Sequence, residues 1–279
     1  MKAKKLWALL MALAMVFSLA ACGDTAEDTS DADNADAENT DTAEASDLAY
    51  VQDKGTLVVG ITEFEPMDYQ NESGEWVGFD ADLAKEFAES LGVEAQFQII
   101  DWDSKIMELD GKTIDVVWNG MTLTEDVTSA MECSQPYLIN QQVVVVPAAV
   151  ADQYQSEDSL TDLAFAVEIG SAGCEIAAAN GYNYTEVADQ ATALLEVASG
   201  TADAAIIDSL MAGAMIGEGT SYADLTSTVA LTSEEYGVGF RKGSDLAAAL
   251  NVFLDGKYAD GSIQTLAETY GVQDALVQE

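Results

Sequence analysis

The apolar run "TLVVGI" opens at Thr56, and its unbroken Val, Leu and Ile content predicts a buried strand. "FDADLAKEFAESLG" places its apolar residues at helical spacing and stops at Gly92, which predicts a helix. "EAQFQII" then reads as a second strand, "WDSKIMELDG" as a short helix and "TIDVVWNG" as a third strand. The cycle returns downstream. "DLAFAVEIGSAGCEIAAANG" reads as strand, turn and helix, and "TALLEVASGTADAAIIDS" as helix and strand. Between the two cycles, "QQVVVVP" at 141–147 is a continuous apolar strand linking them, and "YGVGFRKGS" returns to a strand before helices from Asp245 onward. Strands alternating with helices give a parallel or mixed sheet with crossover helices, and two such sheets in series predict an α/β protein of two lobes.

The first 49 residues break this pattern. Lys2, Lys4 and Lys5 precede "LWALLMALAMVFSLAA", which ends in Leu19-Ala20-Ala21-Cys22. A charged start, an apolar run and a small-residue cleavage site read as an export signal over 1–21. The run falls short of the roughly 20 residues of a spanning helix and stops at small residues followed by acids. "LAAC" resembles the bacterial lipobox, which implies that Cys22 becomes the lipidated first residue of the mature chain. Residues 23–49 carry ten acids, no basic residue and no aromatic residue, so 22–49 reads as a flexible tether unable to offset its ordering entropy. Its D-x-D spacing lacks the Gly turn and terminal Glu of a calcium loop.

Fifty acidic residues against ten basic ones leave a net charge of −40. Nucleic acid needs a basic footprint and anionic lipid needs basic clusters, so the balance argues against both as direct partners. The acids read as a solvated, self-repelling surface. The chain has no His, no metal-spaced Cys/His cluster and no nucleophile elbow, so no metal, cofactor or catalytic residue is expected. Cys133 and Cys174 could pair in an exported protein or stay as buried thiols.

From about Tyr50 to the C-terminus the chain resembles the family 3 solute-binding proteins, amino-acid-type receptors of ATP-binding cassette (ABC) importers. The resemblance is carried by "GTLVVGITEFEPMDY", "GEWVGFDADLAKEFAESLGV", "TIDVVWNGMTLT", "SQPYLINQQVVVV", "VEIGSAG", "SGTADAAIIDS" and "YGVGFRKGSDLAAALN", in order. It implies a type II periplasmic-binding-protein-like fold: two sheets flanked by helices, closing like a hinged clamp over a ligand cleft. Lobe one would be 50–141 plus 233–279, and lobe two 142–232.

The same resemblance implies the site. Phe64 and Trp102 would wall the ligand with aromatic faces. Asn119, Gly120 and Thr122 would offer a carbonyl, an N–H and a hydroxyl. Asp208 would receive an α-ammonium, Ser171 would give hydroxyl and N–H groups to a carboxylate, and Glu168 would face the ligand side chain. Relatives often carry a second hydroxyl where Ala172 stands.

The departure is Val127. Many relatives place Arg there to hold the α-carboxylate bidentately, and the sole Arg of this chain is Arg241, on the returning strand. Three replacements present themselves: Lys105, one helical turn from Trp102, although an exposed salt bridge is the plainer expectation for it; backbone N–H groups at a helix start; or a ligand without that carboxylate. Glu63, Glu65 and Glu168, with Asp208, favour a positively charged ligand such as a basic amino acid or an amine, with a neutral polar amino acid as the alternative. The leading reading is a monomeric, lipid-anchored extracytoplasmic receptor that passes a small polar amino acid or related amine to an ABC permease. A sensory lipoprotein is a second class. A dehydratase on the same fold is a third, which the absence of a carboxylate clamp at Val127 disfavours.

Overall fold

The computed structural model describes residues 46–278. The export signal, Cys22 and nearly all of the acidic tether lie outside the described residues. Composition extends the tether to Ala49, but the chain is already helical over Asp47–Lys54, capped by Ser46, whose side chain accepts from the Ala49 N–H. Asp47 is held by the Arg241 guanidinium at 2.9 Å, which ties this helix to the folded body.

The first lobe is a six-stranded sheet. Glu94–Ile99, Thr56–Ile61 and Val116–Thr122 run parallel, and Glu234–Arg241 joins antiparallel beside Val116–Thr122. The short strands Met131–Cys133 and Leu138–Asn140 both pair with Glu234–Arg241. The helix Phe79–Ser90 covers one face because Phe79, Leu83 and Phe87 recur every four residues and are all buried. Phe87 meets Trp118 edge-on at 6.2 Å between ring centroids. Burying each such side chain contributes about 1.5–3 kcal/mol.

The second lobe is a five-stranded sheet in the order Asn183–Val187, Ala164–Glu168, Ala204–Asp208, Gln142–Pro147, Leu225–Ala230. "QQVVVVP" is therefore an interior strand of this sheet, and its Val143–Val146 are buried on both faces. The crossings between lobes lie at Gln141 and at 231–233, between the last strand of one sheet and the next of the other. Two helices set the cleft face. Ala172–Asn180 is capped by Ser171, whose hydroxyl accepts from the Cys174 N–H, and Gln190–Ser199 by Asp189, whose carboxylate accepts from the Thr192 N–H. Cys133 and Cys174 lie one in each lobe as free thiols. Among the described residues no helix is long and apolar enough to cross a membrane.

Candidate functional site

The lobes meet at a narrow cleft with a cavity volume of about 30 Å³. All eight residues singled out from the sequence line it: Phe64, Trp102, Asn119, Gly120 and Thr122 from lobe one, and Glu168, Ser171 and Asp208 from lobe two. The polar groups of several of them are committed elsewhere, which redistributes the chemistry.

In lobe one the strand Val116–Thr122 delivers its last residues to the cleft floor. The Asn119 side chain accepts from the Thr62 N–H and hydroxyl and donates to the Thr62 carbonyl and to Asp68 at 2.8 Å, so it stitches the neighbouring loop. The Gly120 N–H does not face a ligand. It donates to buried Asp80 at 2.6 Å, and the Tyr137 hydroxyl donates to the same carboxylate. Burial pushes the Asp80 carboxyl up to about 6. What Gly120 supplies is space: at φ +54 it lets Phe64 approach so closely that a Cβ would stand 2.6 Å from the ring. Phe64 in turn packs edge-on against Tyr236. The Thr122 hydroxyl donates to Glu234 at 2.8 Å and keeps its lone pairs for an incoming donor.

In lobe two, Asp208 ends the buried strand Ala204–Asp208 and starts the helix Ser209–Met215 without capping it through its side chain. Its carboxylate instead accepts from the amides of Asn140, Gln142 and Gln190. Glu168 sits beside it, 3% exposed, with Oε2 3.5 Å from the Gln190 amide and Oε1 without any hydrogen-bond partner. Among the described residues neither carboxylate has an ion-pair partner. Burial, then the charge of Asp208, pushes Glu168 up to about 8, and burial, then Glu234, pushes Asp208 up to about 7. Ser171 is spent locally: its hydroxyl donates to the Glu168 carbonyl at 2.8 Å, and its N–H reaches the same oxygen.

Val127 does line the cleft, 5% exposed, and packs with Trp102 and Met121. The position is apolar, and its N–H donates to the Thr124 hydroxyl. Arg241 is no substitute. It binds Asp47 and the carbonyls of Leu109 and Ile114, away from the cleft. Lys105, expected on the surface, is buried to 7% exposure on the cleft wall. Glu63 and Glu65 are exposed and do not line the cleft. Gln142 and Gln190 were not singled out from the sequence, because one precedes a run of valines and the other follows a helix cap, and neither context marks a site.

A two-lobe α/β body with an interlobe cleft, walled by aromatics and lined by buried acids, has the form of a small-molecule site. Residues 57–273 match the family described as bacterial extracellular solute-binding proteins, family 3, and the chain belongs to that family. Among its relatives is the L-cystine-binding protein TcyJ of Escherichia coli K12, 30% identical over 80% of this chain and 85% of that protein. The arginine-binding extracellular protein ArtP of Bacillus subtilis is 29% identical over 96% and 98%. The arginine-bound form of truncated ArgBP from T. maritima superposes with a TM-score of 0.69 at 34% identity, covering 75% of this chain and 99% of that one.

Proposed function

We propose that the protein is an extracytoplasmic receptor, tethered through lipidated Cys22, that captures an amino acid with a cationic side chain and presents it to an ABC permease. The carrying observation is the pair Glu168 and Asp208: two buried carboxyl groups facing one cleft, contacted by neutral groups, with no cation within ion-pair distance of either among the described residues. Buried charges are stable when paired, and an ammonium or guanidinium entering the cleft supplies the partner. Relatives are named for arginine and histidine but equally for cystine and glutamine, so the choice of a cationic side chain rests on the two acids. Trp102 and Phe64 add apolar walls against which a cation gains about 0.5–2 kcal/mol. The binding step needs no chemistry, only closure of the lobes.

Isothermal titration of the mature chain against arginine, lysine, histidine, glutamine, cystine and glutamate tests the reading. Arginine or lysine is expected to bind with a Kd of about 1 μM or tighter, about −8 kcal/mol. Tight binding of glutamate, with no response to either basic amino acid, would contradict it.

A further inference from the structure

Lys105 is the one basic residue on the cleft wall among the described residues. It begins the helix Lys105–Asp110 in lobe one, yet its ammonium crosses to lobe two and donates to the Gly170 carbonyl at 2.9 Å. A second N–H donates to the Trp102 carbonyl at 3.1 Å, and the ammonium lies 4.8 Å from the centre of that indole ring. Beside the crossings Asn140 donates to Asp208, Ser209 to Asn140 and Gln142 to Glu234; away from that cluster, Lys105 to Gly170 is the hydrogen bond that joins the lobes among the described residues.

An ammonium has three donors, and the two carbonyls account for two. Lys105 is 7% exposed and has no carboxylate within ion-pair distance among the described residues, and burying a cation without one is costly. Burial pulls Lys105 below the usual lysine range, with Glu168, Glu175 and Asp103 acting against that pull from a distance. Two residues beyond Gly170, Ala172 also lines the cleft, and its N–H has no acceptor among the described residues. It opens the nine-residue helix Ala172–Asn180, whose N-terminal end carries partial positive charge. The cleft is thus polarised, with donors at the Lys105 and Ala172 end and acceptors at Glu168 and Asp208. Exposed Glu175 at the rim tempers the donor end without touching the ammonium.

We propose that Lys105 is a specificity-determining residue that anchors the carboxylate of a zwitterionic ligand across the closed cleft, in the place that Val127 leaves apolar. The inference rests on the reading of the cleft as an amino-acid site. It selects among basic ligands: a carboxylate is required, and an amine lacking one is rejected. Because the ammonium reaches lobe two only when the lobes are together, the carboxylate contact is linked to closure.

The test compares each basic amino acid with its decarboxylated form, arginine with agmatine and lysine with cadaverine, by calorimetry on the mature chain. The wild type is expected to favour the amino acid by about 100-fold, as loss of a buried charge-assisted contact implies. In Lys105→Met this preference collapses to within about threefold, through loss of amino-acid affinity, while Lys105→Arg retains most of it and shows that the fold persists. Equal weakening of both ligands by Lys105→Met, with the preference kept, would mean that Lys105 only joins the lobes and would overturn the inference. So would tight binding of the amines by the wild type, which would leave the cationic-ligand reading standing. Binding of none of the four would overturn both.

Discussion

Glu168 shows how one side chain links stability to binding. Its carboxyl lies at about 8 in the folded protein against 4.5 for a free glutamate, because burial disfavours the charged form. Between those values the native state holds more protons than the unfolded chain, so the ligand-free protein loses stability as pH rises from about 4.5 through 8. Glu168→Gln removes that dependence at this residue. The variant is expected to melt about 2–4 °C higher than wild type at pH 8 without ligand, the shift that about 1 kcal/mol produces in a domain of this size, and to match wild type near pH 4.5. It also loses affinity for arginine. Scanning calorimetry across pH checks the first statement, and an unchanged or lower melting temperature at pH 8 would count against it. The position of Glu168 was legible in the sequence through "VEIGSAG". Its unpaired oxygen was not, because pairing depends on Gln190, 22 residues further on and in another element. Of the two readings of Lys105, reaching inward or an exposed salt bridge, the plainer one fails, because helical spacing sees only its own turn whereas its partner is a carbonyl in the other lobe.

The elements were the most readable level. Thr56–Ile61, Phe79–Ser90, Glu94–Ile99 and Ala204–Asp208 fall where periodicity and glycine stops put them. The helix Asp47–Lys54 was hidden by the acid-rich composition leading into it, since Asp47 reads as one more acid of a tether until Arg241 is seen beside it. The short strands Met131–Cys133 and Leu138–Asn140 were also missed. Three residues carry no periodicity, and both exist because the long returning strand Glu234–Arg241 offers an edge to pair with. That strand is pinned at its end by Arg241, which holds Asp47 and the carbonyls of Leu109 and Ile114, with Asp115 at 3.6 Å. Arg241→Met strips a buried cation from this cluster and is expected to cost about 3–5 kcal/mol of stability. Arginine affinity should stay within about twofold, because no cleft contact is touched. Urea unfolding paired with calorimetric titration separates the two effects, and a large affinity loss at unchanged stability would contradict this account.

At the scale of the whole molecule, the lobes meet backbone to backbone. Gly170, at φ +70, comes so near Asp103 that a Cβ would stand 2.7 Å from its Cα, and the ammonium of Lys105 spans the same seam. This contact completes a cleft with donors at the Lys105 and Ala172 end and acids at Glu168 and Asp208. Such a chamber suits a ligand that brings its own complement of charges and exchanges water for them as the lobes close. The large acidic surface outside is a separate matter of solubility, and in the proposed reading it is Glu168 and Asp208 inside that set the ligand's sign. The most direct measurement of this claim is a structure of the protein with arginine bound. The account predicts a cationic group of the ligand within about 3 Å of Glu168 Oε1 or the Asp208 carboxylate, with the lobes closed over it. A ligand lying with its carboxylate against these two acids, or one leaving both without a cation, would contradict it.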